Sequence, residues 1–183
     1  MIQSPVPALI GFGANLPFQG DPPELTLRRA LAQLDSSPGI RLTASSSLWI
    51  SRPVQAEGPD FINGVAEIRC SLAPEALMAR LLEVEAQFGR VRAASETSTS
   101  SARTLDLDLI WMNGISRKGP GLILPHPRAA SRAFVLAPLS ELRPCLTLSD
   151  DPGAPTVEVL LAEALRRDPR SVERLERLSV RSA

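Results

Sequence analysis

Two aspartates separated by a single residue are the clearest candidates for chemistry in this chain. In the segment 103–109, leucines at positions 105, 107 and 109 alternate with Asp106 and Asp108. This alternation predicts a β-strand that buries the leucines and projects both carboxylates from its other face, with their Cα atoms about 6.6 Å apart. Neighbouring carboxylates repel each other unless a cation lies between them, and Mg²⁺ completed by phosphate ligands suits such a pair. The alternative is a solvated strand face, which we favour less because aspartate is uncommon in strands.

Arginines and one histidine flank the two aspartates on both sides in the sequence. They are Arg90, Arg92, Arg103, His126, Arg128 and Arg132. Carboxylates that hold magnesium, surrounded by planar cations, are the recurring parts of phosphoryl-transfer sites. A single arginine is more often a solvated surface residue, so it is the concentration of cations around the aspartates that indicates a phosphate site.

Asn63 and the segment Gly11–Gly13 are weaker candidates. Asn63 lies in a predicted strand, where asparagine is disfavoured. It either presents its amide to the polar edge of a planar heterocycle or serves a bulge or a structural hydrogen bond, and the sequence leaves both open. Gly11–Gly13 ends the first predicted strand but lacks the further glycine and lysine positions of a P-loop or dinucleotide fingerprint. It supports no nucleotide site by itself.

Composition limits the possible classes of protein. The chain has 183 residues, 44% of them hydrophobic, which is enough for a substantial core. Its 20 basic and 20 acidic residues give no net charge, which argues against a general nucleic-acid-binding surface. Two cysteines make neither a disulfide framework nor a metal cluster. No apolar run approaches the roughly 18 residues of a membrane helix and no signal peptide is recognised, so we expect a cytoplasmic protein without a membrane partner.

The elements that must position these residues alternate between strands and helices. We predict elements in the order strand, helix, strand, strand, helix, strand, at residues 6–13, 21–35, 40–50, 61–70, 74–89 and 105–112. Asp21 is the expected N-cap of the first helix. The order is typical of an α+β, ferredoxin-like βαββαβ core, in which two helices cover one face of an antiparallel sheet. A further helix or strand is expected over residues 132–142, followed by extra C-terminal helices.

Taken in order, five segments of the chain resemble the 6-hydroxymethyl-7,8-dihydropterin pyrophosphokinase family of folate biosynthesis. They are residues 13–16 (GANL), 58–63 (GPDFIN), 89–92 (GRVR), 103–109 (RTLDLDL) and 124–139, with LPHPR and RAFVLAPL. The resemblance runs from about Ala8 to Pro144. It implies an enzyme that transfers pyrophosphate from ATP to the hydroxymethyl group of the pterin and releases AMP. We expect residues 1–149 to form this catalytic domain and 150–183 a helical extension packed on it, with two helical patches separated by Asp168 and Pro169.

The resemblance also implies roles for individual residues. Asp106 and Asp108 are expected to bind two Mg²⁺ ions with ATP, and Arg90 and Arg103 to neutralise charge on the transferred group. The expected ATP site comprises Glu85 at the nucleoside, with Arg92, Leu109, His126 and Arg132. The expected pterin site comprises Phe61, Asn63 and Phe134, with backbone groups of Ser51 and Val54.

The segment before Arg103 departs from the family pattern. Thr99–Ala102 stands where the family usually has a basic or aromatic residue, then Gly or Ala, then Pro. The lid loop 93–102, which is expected to close over the substrates, is longer than is common. One alternative is therefore a catalytically impaired homologue that still binds pterin or ATP. A polymerase-β-type nucleotidyltransferase also joins a glycine turn to an Asp-x-Asp strand, but there the turn lies close to the aspartates. For the assembly, the family expectation is a monomer whose partners are the two small-molecule substrates.

Overall fold

The computed structural model describes residues 4–53, 58–90, 102–119 and 121–177. Within these ranges the helices are α1 (Pro23–Asp35), α2 (Pro74–Gln87), α3 (Ala133–Leu142) and α4 (Val157–Arg167). The strands are β1 (Val6–Ala14), β2 (Ile40–Ser45), β3 (Ser47–Ser51), β4 (Phe61–Cys70), β5 (Asp106–Met112), β6 (Arg117–Gly119), β7 (Leu122–Leu124) and β8 (Val172–Arg177). None of the described helices is long and apolar enough to cross a membrane.

An antiparallel sheet carries the fold, and β1 lies near its centre. The strand order is β5-β1-β4-β3-β8, with β2 also paired to β4, while β6 and β7 form a separate hairpin. β1 pairs with β4 along its whole length, from Val6 opposite Cys70 to Ala14 opposite Ile62. On its other side β1 pairs with β5. This arrangement confirms the predicted α+β antiparallel class and places β1 between the aspartate strand and the strand of Asn63.

Helices α1 and α2 cover one face of the sheet, as predicted. Apolar side chains at helical spacing, including Leu27 and Leu31 of α1 and Leu77 of α2, are buried against that face. Phe12 of β1 belongs to the same core and lies directly over Gly64. A Cβ at Gly64 would lie 2.3 Å from Cζ of the Phe12 ring, so only glycine fits there.

The opposite face is also covered, by α3 and α4, so the helices lie on both sides of the sheet. This second core joins three sheet residues to three helical ones, namely Leu9, Val65, Ile110, Leu136, Leu139 and Val157. A register shift between β1 and β5 leaves Ile110 without a partner in β1, and both Ile110 and Trp111 belong to this layer. A β-bulge of this kind turns two consecutive side chains toward one face, which strict alternation does not predict.

The C-terminal segment differs from the prediction of two helical patches. Helix α4 corresponds to the first patch, but residues 172–177 form strand β8. β8 pairs with β3, with Glu173 opposite Ile50, so the second helical patch is wrong. The residues of β8 include good helix formers, and pairing with an available sheet edge overrides that local preference. The boundary between residues 149 and 150 stays a prediction.

Two smaller predictions also need correction. The strand predicted over 40–50 is divided into β2 and β3 at Ser46. The Ser46 hydroxyl accepts from the Val65 backbone N–H at 3.0 Å and donates to the Ser47 carbonyl at 2.7 Å, which interrupts the regular ladder. Helix α1 begins after Pro22, without a side-chain cap. Asp21 instead forms an ion pair with Arg29.

The carboxylate of Glu141 connects α3 to the neighbouring strands β3 and β8. Glu141 accepts from Trp49 Nε1 at 3.0 Å and from the Ser47 backbone N–H at 2.9 Å. Its Oε1 also lies 3.4 Å from Nε of Arg174, which in turn donates to the Ser47 hydroxyl. The side chain of Glu141 is mostly buried, so these hydrogen bonds are shielded from water.

We predict that Glu141→Ala lowers the free energy of unfolding by about 2 kcal/mol, because it removes hydrogen bonds to a charged, largely buried acceptor. Urea unfolding at neutral pH measures this. Glu163→Ala on α4 is the matched control, since Glu163 forms a solvent-exposed ion pair with Arg167; we expect this variant to lose less than about 1 kcal/mol of stability. Equal losses of unfolding free energy in the two variants would contradict a stabilising role of the Glu141 hydrogen bonds.

Candidate active site

A cleft opens on the α3 side of the sheet, at the start of α3. Several of the predicted site residues line it together. They are Asn63 on β4, Asp106 and Asp108 on β5, and His126, Arg132 and Phe134 from the segment that leads into α3. The prediction that the two aspartates share one strand face, opposite the buried leucines, is confirmed.

Strand β1 contributes glycines to the floor of this cleft. Gly11 lies opposite Asp108, and Gly13 lies opposite Asp106 on one side and Asn63 on the other. A Cβ at Gly13 would lie 2.7 Å from Oδ1 of Asn63. The glycines therefore form a strip that adds no side chains between the carboxylate strand and the amide strand, whose backbones lie about 9.6 Å apart at two strand spacings. The segment Gly11–Gly13 therefore forms the floor of the cleft as part of strand β1.

Asp106 is neutralised by two arginines from different parts of the chain. Its Oδ1 pairs with Nη1 of Arg90, which follows α2, and its Oδ2 accepts from Nη1 of Arg103 at 2.8 Å. Burial alone lowers the pKa of Arg90, but the charges of Asp106 and Glu85 outweigh it, and the pKa is raised from its ordinary value. Both predicted catalytic arginines thus converge on the first aspartate.

Asp108 has a different environment from its neighbour. It makes no ion pair with any described residue. Burial raises its pKa, and the charge of Asp106 raises it further, against the opposing effects of His126, Arg132 and Arg90. A half-buried carboxylate without a paired cation, next to a neutralised one, fits a divalent ion with oxygen ligands. Within the described ranges no three His, Cys, Asp or Glu side chains gather into a complete metal site, so Asp106 and Asp108 are the described carboxylates that could hold such an ion.

His126 and Arg132 bring polar groups to the same end of the cleft. The His126 backbone N–H donates to the Ile110 carbonyl at 2.8 Å, which holds this segment along β5. Its Nδ1 accepts from the Arg128 N–H at 3.2 Å, so the neutral ring carries its hydrogen on Nε2. Burial lowers the pKa of His126, and Arg132 and Arg128 lower it further against the effect of Asp108. The guanidinium carbon of Arg132 lies 5.3 Å from the centroid of the Phe134 ring, in cation–π contact.

The opposite wall of the cleft is built around Asn63. Its side chain is 7% exposed, and its Nδ2 donates to the Ser51 hydroxyl at 3.0 Å. Strand β4 is regularly paired at this point, so a bulge at Asn63 is excluded, while a structural hydrogen bond is confirmed. Phe61 lies two residues earlier on the same strand face and opposite Ser51 on β3.

Two residues expected at the ATP site do not face the cleft. Leu109 is 2% exposed and packs in the core with α1 and α2, on the sheet face opposite Asp108. Glu85 is 1% exposed and accepts from the Leu107 backbone N–H, behind Asp106. Both side chains therefore point away from this cleft, and the expected roles of the two residues at the ATP site stay predictions. Val54, Arg92 and the lid loop from 93 to 101 lie outside the described residues.

Asn15 helps to build the site, although it was not among the candidate residues. It is 5% exposed at the end of β1. Its Oδ1 accepts from the Arg103 backbone N–H at 2.6 Å, and its Nδ2 donates to the Pro59 carbonyl at 3.0 Å. It therefore ties the segment of Arg103 and the loop before β4 to the same point. A short amide directly after a buried strand was the available signal, because such residues often bind nearby backbone.

Comparison with other proteins identifies a family and several relatives. Residues 9–144 match the family described as 7,8-dihydro-6-hydroxymethylpterin-pyrophosphokinase. Three relatives are named 2-amino-4-hydroxy-6-hydroxymethyldihydropteridine pyrophosphokinase. The Methylorubrum extorquens protein is 34% identical over 92% of this chain and 98% of its own length. The Pseudomonas aeruginosa protein is 38% identical over 87% of this chain and 95% of its own length. The Synechocystis protein is 38% identical over 75% of this chain and 66% of its own length.

Solved structures with the same fold include a protein from Plasmodium falciparum. A crystal structure of its HPPK-DHPS, with pterin and p-hydrobenzoate, superposes with a TM-score of 0.70 at 12% sequence identity. The match covers 95% of this chain and 45% of the Plasmodium chain, so this chain spans less than half of that protein. At this level of identity the likeness concerns the fold alone.

We predict that Asp108→Asn stabilises the protein at neutral pH when metal and nucleotide are absent. Because the folded-state pKa of Asp108 is raised, stability falls as the pH rises from the ordinary aspartate pKa to that raised value, and the full cost of the ionised carboxylate is present above it. The advantage of the variant is therefore largest near pH 7 and disappears below the ordinary aspartate pKa of about 3.9, where both states are protonated. Unfolding midpoints in EDTA between pH 7 and 4 measure this. A variant less stable than the original chain at pH 7 would show that the surroundings favour the charge.

Proposed function

Because the chain belongs to the 7,8-dihydro-6-hydroxymethylpterin-pyrophosphokinase family, we propose that it is an enzyme of folate biosynthesis with that activity. It transfers pyrophosphate from ATP to 6-hydroxymethyl-7,8-dihydropterin and releases AMP. The observation that carries this proposal is the single cleft in which Asp106 and Asp108 face Asn63 across the glycine strip. Groups suited to phosphates lie on one side of that strip, and groups suited to a planar heterocycle on the other.

The proposed reaction is a displacement at the β-phosphorus of ATP. The hydroxyl oxygen of the pterin forms a bond to this phosphorus, and the bond from it to the oxygen that bridges the α- and β-phosphates breaks. AMP leaves with the bridging oxygen, and the hydroxyl proton passes to water. Phosphoryl transfers of this type depend on positioning and electrostatic stabilisation, since the protein has little covalent chemistry to perform.

The phosphate side of the cleft supplies charge. Asp106 and Asp108 would hold Mg²⁺, proposed as two ions, which when bound offsets the negative charge of the ATP phosphates. Arg90 and Arg103 lie beside Asp106, where their guanidinium groups can stabilise charge as it moves from the β-phosphate to the leaving oxygen. His126, Arg132 and Arg92 complete the proposed ATP site. The neutral imidazole of His126 donates from Nε2, so it contributes a hydrogen bond without a full charge.

The pterin side supplies shape and hydrogen bonds. The Ser51 hydroxyl holds Nδ2 of Asn63, and Oδ1 points over Gly13 toward the strip. In the proposal this oxygen accepts a hydrogen bond from the pterin ring. Phe134 stacks on the pterin with the ring face not covered by Arg132. Phe61 and the backbone groups of Ser51 and Val54 complete the pocket.

The proposed enzyme acts in the cytoplasm as a monomer on two small molecules, with no nucleic-acid or membrane partner. The zero net charge supports the absence of a nucleic-acid partner, because a nucleic-acid surface needs an excess of cations. Residues 1–149 form the proposed catalytic domain, and 150–183 an extension packed on it. In support of this division, Val157 of α4 is buried in the core that includes Leu136 and Leu139 of α3.

Incubation with ATP, Mg²⁺ and 6-hydroxymethyl-7,8-dihydropterin tests the proposed activity. We expect pterin-dependent release of AMP together with pyrophosphorylated pterin. ADP as the only nucleotide product would overturn the proposal. AMP attached to the acceptor would instead identify a nucleotidyltransferase, and calorimetric binding of ATP or pterin without turnover would identify an impaired homologue.

Asp106→Ala and Asp108→Ala should each lower kcat by about 10³-fold, because each removes electrostatic stabilisation that acts on the transferred group. Steady-state kinetics with circular dichroism as a check of folding measure this. Asp150→Ala is the control, since Asp150 is exposed in the C-terminal segment, and its kcat should equal that of the original chain. Near-normal turnover in either aspartate variant would contradict the proposed metal site.

Gly13→Ala should raise the KM for the pterin by about tenfold, the effect of losing roughly one hydrogen bond. The added Cβ collides with Oδ1 of Asn63 and must displace the amide. The KM for ATP should change less. Gly119→Ala is the matched control, because no described atom lies within 4 Å of a Cβ there. If both variants retain the original KM for the pterin, Asn63 does not recognise that substrate.

A further inference from the structure

Glu85 is a carboxylate buried behind the phosphate side of the cleft. It lies near the end of α2 and is only 1% exposed. A buried carboxylate is costly unless cations and hydrogen bonds compensate its charge. Arg90 and the backbone of β5, which belong to the proposed reaction site, contribute to compensating the charge of Glu85.

Three contacts connect Glu85 to that site. Its Oε1 accepts from the Leu107 backbone N–H at 2.8 Å. The same oxygen pairs with Nη1 of Arg90. The Glu85 main-chain carbonyl also accepts from the Arg90 backbone N–H at 3.1 Å. Glu85 thus holds both the backbone and the side chain of Arg90, and it binds the strand residue between Asp106 and Asp108.

The turn after α2 makes this geometry possible. Gly89 adopts a positive φ of 80°, which brings the next residue back toward the last turn of the helix. A Cβ at Gly89 would also lie 2.6 Å from Cε2 of Phe18. Residue 89 is therefore restricted to glycine by both conformation and packing, and Arg90 is directed at β5.

The contacts form a closed ring. Leu107 N–H binds Glu85, Glu85 binds Arg90, and Nη1 of Arg90 also binds Oδ1 of Asp106, the residue before Leu107. β5 is the last strand in the sheet order, so this hydrogen bond to Leu107 comes from a side chain and not from another strand. Arg103 adds a second guanidinium group on the other oxygen of Asp106, at 2.8 Å. A ring of this kind fixes a long side chain relative to the strand that carries the aspartates.

We propose that Glu85 is a positioning residue that acts through Arg90 and holds its guanidinium at a set place beside Asp106. It does not contact the nucleoside. The proposal rests on the proposed function, because the position of Arg90 matters only if Arg90 acts on the transferred group.

Glu85→Gln tests this role with little change in size, and the variant keeps an oxygen acceptor for Leu107. We expect kcat to fall by about 100-fold, the scale of a misplaced catalytic group, with a smaller change in the KM for ATP. In the Arg90→Ala background the same substitution should cause no further loss. Glu83→Gln is the matched control on the same helix, since Glu83 is exposed and pairs with Arg80 on the surface; its kinetics should be unchanged.

Amide hydrogen exchange of the ligand-free protein gives a readout that needs no turnover. Glu85→Ala should speed exchange at Leu107 by about tenfold, the effect of losing one hydrogen bond, while Glu85→Gln should change it less. Unchanged exchange at Leu107 in Glu85→Ala would overturn the ring. A loss of kcat that persists in the Arg90→Ala background, or a raised KM for ATP with normal kcat, would overturn action through Arg90. If the original chain forms no pterin-dependent AMP, the proposed function fails, while the exchange result still decides whether the ring exists.

Discussion

The site depends on strand β1 having no side chains where it crosses the cleft. Gly11 and Gly13 face the cleft, while the intervening Phe12 faces the core and packs on Gly64. One strand therefore satisfies two opposite requirements through its alternation of faces. Because β1 pairs with both β4 and β5, it separates the backbones of Asn63 and Asp106 by two strand spacings and adds no side chain of its own between them. The proposed substrates fit this division, with the ATP phosphates on the aspartate side and the pterin on the side of Asn63.

The two aspartates differ in how far paired cations compensate their negative charge. Asp106 is paired with Arg90 and Arg103 and contributes to the order of the ligand-free fold. Asp108 has no such partner in the described part of the chain, and its raised pKa records a destabilising environment that a bound cation would relieve. Arg90 bridges two carboxylates with one guanidinium group, a geometry for which arginine is better suited than lysine. The zero net charge of the chain therefore conceals a strongly charged local site.

Periodic features of the sequence were sufficient to predict the core of the fold and the aspartate strand. The alternation of leucine and aspartate predicts β5, and the helical spacing of Leu27 and Leu31 predicts α1. Contacts that depend on distant parts of the chain were not predictable in this way. Strand β8 is built from helix-forming residues and is a strand only because β3 offers an edge. The contact of Glu85 with Leu107 joins residues 22 apart, from a helix end to a strand, which no local pattern encodes.

Helix α3 connects the C-terminal segment to the site, although that segment supplies none of the candidate residues. Arg132 and Phe134 lie at its first turn and line the cleft, and Glu141 at its last turn holds β3. The segments that follow the family match at residues 9–144 contact this helix from two sides. α4 packs on it through the core that contains Val157, and β8 reaches Glu141 through Arg174. Because β3 carries Ser51, which orients Asn63, both walls of the cleft are connected to the C-terminal segment through α3.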